Sequence, residues 1–239
     1  MAIQMTAATD RHLYSVSTNF GAATDSYSIS VWINAVWNGG TTFSFVGMYN
    51  GSLVVTPTTG LQIGTTAANV GGVNCWTYGG LTMVASAAGA MTPYNNTWVL
   101  ITYTYDGTNH RVYRNDTLLA TGTTIQNPGT FTQVYINGYP PSGTANETGT
   151  YQVDTYLYFG RTLTQPEIAT IYQSFGNRHG IDYGLLASYD FDEGVTGATV
   201  TGVVDTSGNG NTLLNTGAGT AITYTYAGTV ASSNLRMVQ

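Results

Sequence analysis

The sequence predicts an all-β chain, folded as an antiparallel jelly-roll β-sandwich with one short helix near residues 164–175. Three observations carry that expectation. Short alternating apolar and polar runs recur along the chain, punctuated by Gly, Asn, Asp and Pro, which is the pattern of a sandwich or jelly roll. The stretch WVLITYTYDGTNHRVYRNDTLLATG (98–122) reads as a three-stranded meander. Only one segment, LTQPEIATIYQSFG (163–176), has a helical period.

Taken in order, strands are predicted at 12–17, 26–35, 42–49, 60–65, 74–79, 98–105, 110–115, 132–138 and 151–159. In SISVWINA, Ile29, Val31 and Ile33 alternate with Ser30, Trp32 and Asn34, so one face is apolar at period two. In the meander, Val99, Ile101, Tyr103 and Tyr105 share one face, while Trp98, Leu100, Thr102 and Thr104 share the other. These β-branched and aromatic residues suit a pleated, half-buried surface. Asp106-Gly107 is a hairpin turn signal, because glycine tolerates positive φ without steric cost. The chain returns through His110–Arg114, turns at Asn115-Asp116 and runs out through Leu118-Leu119. Trp98 is expected to be mostly buried, and His110, beside a hairpin tip, to be exposed.

The helix has its own start and stop. Thr164 and Glu167 form a capping-box pair. Pro166 falls in the first turn, where its missing donor costs nothing. Ile168, Ile171, Tyr172 and Phe175 recur at helical spacing, giving one apolar stripe to lay on the sandwich. Gly176 supplies the stop.

Composition narrows the function classes. The 239 residues suffice for one large β-domain or two small ones, and 42% hydrophobic content supports a sizeable core. Charged residues make up only 8%, against a usual share of about 25%. Thr, Ser, Asn, Gln, Gly and Tyr must therefore cover the surface, which suits a protein in an assembly or one that faces sugars. The net charge of −6, with six Lys+Arg, gives no nucleic-acid footprint. The single Cys75 rules out an internal disulfide framework and is expected to pack as a small apolar residue. No run approaches the about 18 apolar residues of a membrane span. The start, MAIQMTAATDRHLY, lacks the basic and apolar regions of a secretory signal, so synthesis in a host cytoplasm is expected.

Three blocks then point to a family. YSISVWINA supplies an early strand with a buried Trp32. WVLITYTYDGTNHRVYRNDTLLATG supplies a central ribbon. TGTYQVDTYLYFGRTLTQPEIATIY (148–172) supplies a closing strand and an Arg-x-Leu-Thr helix start. In this order the blocks resemble the laminin-G-like, concanavalin A-like lectin/glucanase jelly rolls, of the kind found in phage virion proteins. A fourth block, ASYDFDEGVTGATVTGVVDTSGNGNTLLNTG (187–217), resembles the segment that usually opens such a domain. Residues 1–183 are accordingly expected to form the jelly roll. Residues 184–239, small for an independent core, are expected to dock on the same sandwich. Thr155 stands where the family carries a second acid. The resemblance implies a fold and a tendency to bind glycans or proteins, and it leaves open lectin, glucanase and structural roles.

Catalytic signatures are weak. A glycosidase needs two carboxylates facing one cleft, and the family's Glu-x-Asp-x-x-Glu strand is missing. YDFDEG comes nearest, with Asp190 and Asp192 on one face, but it reads as a strand end entering a polar turn. His12, His110 and His179 have no metal-ligand spacing. The loop DTSGNGN (205–211) offers Asp205, Asn209 and Asn211 as a candidate calcium site, and also reads as an ordinary Asx-turn loop. Trp37, Tyr49, Trp76 and Tyr139 are candidate exposed aromatics for stacking on sugars.

The expectation is therefore a non-enzymatic virion structural protein on the surface of a tailed phage, a capsid decoration or fibre-associated subunit with glycan adhesion. Its expected partners are capsid or other virion proteins, further copies of itself and a cell-surface glycan, with neither nucleic acid nor membrane. The alternatives are a stand-alone carbohydrate-binding lectin domain and a concanavalin A-like glucanase.

Overall fold

A computed structural model describes residues 1–5, 12–15, 20, 25–37, 42–49, 60–77, 81–123, 130–137, 150–216 and 222–225. In chain order the strands are β1 (Ala2–Met5), β2 (His12–Ser15), β3 (Tyr27–Ala35), β4 (Phe43–Tyr49), β5 (Gly60–Thr66), β6 (Asn69–Thr77), β7 (Thr82–Ala85) and β8 (Thr97–Tyr105). They continue as β9 (His110–Arg114), β10 (Thr117–Gly122), β11 (Gln133–Ile136), β12 (Tyr151–Phe159), β13 (Leu185–Tyr189), β14 (Gly202–Val203), β15 (Leu213–Thr216) and β16 (Thr223–Thr225). The helix α1 (Gln165–Gln173) lies between β12 and β13.

These strands make two antiparallel sheets. The first has the order β10-β9-β8-β3-β12-β1-β16, with β13 also pairing β12. The second has the order β14-β15-β2-β11-β4-β5-β6-β7. This is the predicted antiparallel sandwich. The segment after the helix contributes to both layers: β13 and β16 join the first sheet, β14 and β15 the second.

Period-two alternation places the core. β3 and β8 pair without a register shift, Val31 opposite Ile101 and Ile29 opposite Tyr103. Those residues face the second sheet in one cluster with Phe45, Ile63, Val73, Cys75, Val134 and Tyr156. Burial pushes the Cys75 thiol pKa well up, which suits inert packing.

The opposite face of the first sheet carries a second cluster. There Trp32, Leu100, Leu157 and Phe159 meet Leu163, Ile168 and Ile171 of the helix segment. The apolar stripe of α1 thus lies on the outer face of the first sheet. The capping box forms as predicted, with Thr164 accepting from Glu167 N–H and the Glu167 carboxylate accepting from Thr164 N–H.

Two local expectations need correction. The helix stop is not glycine alone. Phe175 N–H donates to Tyr172 O at 3.0 Å and Gly176 N–H to Ile171 O at 2.9 Å. This is a Schellman closure in which Phe175, at φ 54°, takes the left-handed position usually given to glycine. Its ring meets Trp32 edge-on at 6.2 Å, and that contact offsets the backbone strain. His110 is only 1% exposed. Alternation turns its ring inward, where it stacks on Tyr105 at 4.4 Å and its Nδ1 lies 2.5 Å from the Tyr103 hydroxyl. Trp98 is mostly buried as expected, on the outer face at the margin of the helix cluster.

Candidate functional site

The aromatic residues proposed for sugar stacking are not on the surface. Trp37, Tyr49 and Trp76 are at most 5% exposed. Trp37 packs against Phe43 and Phe45 in the core, and Tyr49 meets Tyr135 edge-on. Tyr49 and Trp76 follow Met48 and Cys75, which face the core, so they lie on the other face of the second sheet and are buried there. Tyr139 lies outside the described residues.

The candidate calcium loop does bring Asp205, Asn209 and Asn211 together, but as a hydrogen-bonded clasp. Asp205 Oδ1 accepts from Ser188 N–H at 3.0 Å and Ser207 N–H at 2.9 Å, and Oδ2 accepts from Asn211 N–H at 2.9 Å. Asn209 and Asn211 use their amide nitrogens as donors to the carbonyls of Leu185 and Leu186. One carboxylate already turned toward three N–H groups, beside two amides turned nitrogen-first, does not fit the oxygen cage a calcium ion requires. The clasp fixes the loop to β13 instead.

The chemistry gathers one step away. A cavity of about 320 Å³ opens on the outer face of the first sheet, lined by Thr155, Leu157, Gly176, Asn177, Arg178, Gly180, Asp182, Ser188, Asp190 and Thr206. Its floor follows from strand register. β12 carries an irregularity between Val153 and Thr155, which turns Thr155 outward while Val153 and Tyr156 stay in the core. Leu157 is opposite Ser188 on β13, so both face out beside Thr155. One wall is the loop after α1, and another is the turn that begins at Thr206.

Arg178 ties these parts together. Its Nε donates to Asp182 Oδ1 at 2.6 Å, Nη1 to Ser188 Oγ at 2.9 Å and Nη2 to Thr206 O at 3.3 Å. The Thr206 hydroxyl lies 2.9 Å from Ser188 Oγ and 3.2 Å from Asp190 Oδ2. Thr155 is 3% exposed, and its hydroxyl has no hydrogen-bond partner among the described residues. That hydroxyl faces Gly176, where even a Cβ would sit 3.0 Å from it. The hydroxyl is sealed beneath Gly176 rather than presented to the cavity, so Thr155 shapes the floor.

Backbone strain converges on the same walls. Among described non-glycine residues, positive φ occurs at Asn96, Asn115, Asn137, Phe175, His179 and Phe191. Asparagine and histidine visit this region more readily than other residues, whereas phenylalanine carries a side chain that makes it unfavourable. Phe175 adjoins Gly176 and Phe191 follows Asp190. Both strained positions therefore border the cavity, and such strain collects where a site is held in a fixed shape.

Phe191 also settles the Asp190–Asp192 question. With φ at 52°, it ends the alternation after Tyr189 and puts its own ring into the core. Asp190 is left in the cavity, while Asp192 turns away to pair with the Met1 amine. The two carboxylates do not share a site. Thr155, at the family's acidic position, carries a hydroxyl rather than an acid. Arg178, Ser188 and Thr206 escaped sequence reasoning because three separate segments contribute them. The GNRHG glycines around Arg178 were the available signal.

Among the described residues, no group of three or more His, Cys, Asp or Glu is placed to hold a metal ion, and no helix is long and apolar enough to cross a membrane.

Comparisons with known proteins agree with this architecture. No curated protein matches the sequence. A candidate carbohydrate-binding protein from Bacteroides ovatus superposes with TM-score 0.60 at 15% identity, covering 92% of this chain and 61% of that one. The CBM40 domain of Ruminococcus gnavus IT-sialidase, bound to α2,3-sialyllactose, gives TM-score 0.53 at 13% identity over 72% of this chain and 96% of that one. The binding domain of botulinum neurotoxin serotype D gives 0.54 at 12% identity over 72% of this chain, which spans only 42% of that one. At such identities the likeness is one of fold. The model of the concanavalin A-like lectin/glucanases superfamily matches residues 8–169, so the chain that builds this sandwich belongs to that superfamily.

Proposed function

We propose that the protein is a non-enzymatic carbohydrate-binding module whose saccharide site is the cavity on the outer face of the first sheet. The observation that carries this reading is a polar cavity walled by Arg178, Asp190, Ser188 and Thr206. Donors and acceptors from three segments converge there, as recognition of a polyol requires. The carbohydrate-binding proteins among its fold relatives support the reading. The separation of Asp190 from Asp192 and the pairing of Asp182 with Arg178 support binding over hydrolysis.

The test is Thr206→Val, which keeps the shape and removes a hydroxyl of the cavity wall. Titration calorimetry against a broad saccharide library should identify a sugar that binds wild type and loses at least tenfold in affinity with the variant. Thr206 is exposed, so the variant should still fold, which its melting curve checks. Failure of every saccharide to bind, or cleavage of one, overturns the reading.

For its setting, the same proposal places the module on a tailed-phage particle as a capsid decoration or fibre-associated subunit. A chain with 8% charged residues supports close packing among neighbours. A strictly monomeric protein absent from purified particles would instead favour a free lectin.

A further inference from the structure

We infer that the cavity selects an uncharged sugar unit, with Asp190 as the acceptor for its hydroxyls, and discriminates against carboxylated sugars. The inference rests on the saccharide-site reading above and concerns which saccharide the site takes.

The charge balance comes first. The lining contains one guanidinium, Arg178, and two carboxylates, Asp182 and Asp190. Arg178 is already paired with Asp182 at 2.6 Å and spends its remaining contacts on Ser188 Oγ and Thr206 O. Its positive charge is thus compensated within the protein, and its geometry is committed to holding the walls. Among the described residues, Asp190 has no such cation. Its hydrogen-bond contact is the Thr206 hydroxyl at 3.2 Å, a shared proton at most, because that hydroxyl also lies 2.9 Å from Ser188 Oγ. The cavity as a whole carries one excess negative charge, located at Asp190.

Ligand chemistry follows from that balance. A carboxylate has about four lone-pair directions, so Asp190 can accept from two neighbouring sugar hydroxyls while Thr206 remains in place. An incoming sugar carboxylate would face Asp190 with no free cation to answer it, and like charges in a partly enclosed site repel strongly. Among the described residues of the lining, Leu157 is the only large apolar side chain and no aromatic ring is present. Selection therefore works through hydrogen bonds, which reject an analogue with the wrong polar group more sharply than an apolar pocket rejects a misfit. The volume of about 320 Å³ is at the small end of ligand pockets, roughly 300–1,000 Å³, and suits a single sugar unit rather than an extended chain.

The test compares neutral hexose methyl glycosides with glucuronic, galacturonic and sialic acid glycosides on wild type, Asp190→Asn and Asp192→Asn, by saturation-transfer NMR and calorimetry. Wild type should bind a neutral glycoside at least tenfold more tightly than its carboxylated counterpart. Asp190→Asn should weaken the neutral sugar at least tenfold and shrink that preference, while Asp192→Asn, outside the cavity, should leave both unchanged. Melting curves check that the variants fold. Preference for the acidic sugars, or an Asp190→Asn variant that binds neutral sugar as well as wild type, overturns this inference and leaves the saccharide site standing. Absence of binding by any sugar overturns both.

Discussion

The Arg178 guanidinium hydrogen-bonds the Ser188 hydroxyl at 2.9 Å, joining the loop after the helix to the strand beneath it. The same side chain reaches Asp182 and Thr206 O. It acts as a three-way tie between the loop after the helix, β13 and the turn that begins at Thr206.

Arg178→Lys should therefore behave almost as badly as Arg178→Ala. A lysine keeps the charge but cannot spread donors over three partners. Both variants should lose saccharide binding, and each should cost about 1.5–3 kcal/mol, the range for a hydrogen bond to a charged group. Amide exchange over 176–182 measures the loosening. An unchanged loop in Arg178→Lys would contradict the tie.

The two tryptophans of the outer face should differ. Trp32 is 3% exposed beneath Tyr172 and Phe175, so Trp32→Ala should cost about 3–5 kcal/mol. Trp98, less deeply buried at the margin, should cost clearly less in denaturant unfolding. Trp32→Ala should also weaken sugar binding, because Phe175 loses the ring that holds its left-handed backbone.

Acid should act through the helix start. The Arg161 guanidinium, with help from Thr164, holds the Glu167 carboxyl down at about 2 from an ordinary 4.5 against the opposing effect of burial. A carboxyl depressed in the folded state adds stability above its ordinary pKa and loses that contribution as pH falls through its folded one. Glu167→Gln keeps a capping box and removes the charge. The melting difference between the two proteins should be constant at neutral pH, then close between about 4.5 and about 2. A difference that persists to the lower limit would contradict the ion pair as its source.

At the hairpin tip, Gly107 sits at φ 90° with open space around its missing side chain. The cost of Gly107→Val is then one of backbone alone, about 1–2 kcal/mol. Thermal melting should show this loss, while sugar binding, on a distant turn, should not change. Asp106→Ala should weaken the same turn, since its carboxylate accepts from Thr108 N–H, Asn109 N–H and Arg111.

The sequence by itself determined what depends on local periodicity. Alternation in residues 27–35 and 97–105 sets the inner face of the first sheet, and the Thr164–Glu167 box sets the start of the helix. Asp-Gly and Asn-Asp place the turns of the meander because their backbone needs are met within a few residues. Period two says which residues share a face but not which face is covered. For that reason it could not show that Trp37 and His110 turn inward, or that Tyr49 and Trp76 are buried on the other face of the second sheet. The cavity was decided by tertiary structure alone. Thr155, Arg178, Ser188, Asp190 and Thr206 meet only after β13 pairs with β12 and the helix lays its loop over them, and pairing across about thirty residues of chain leaves no trace in the period of any one segment.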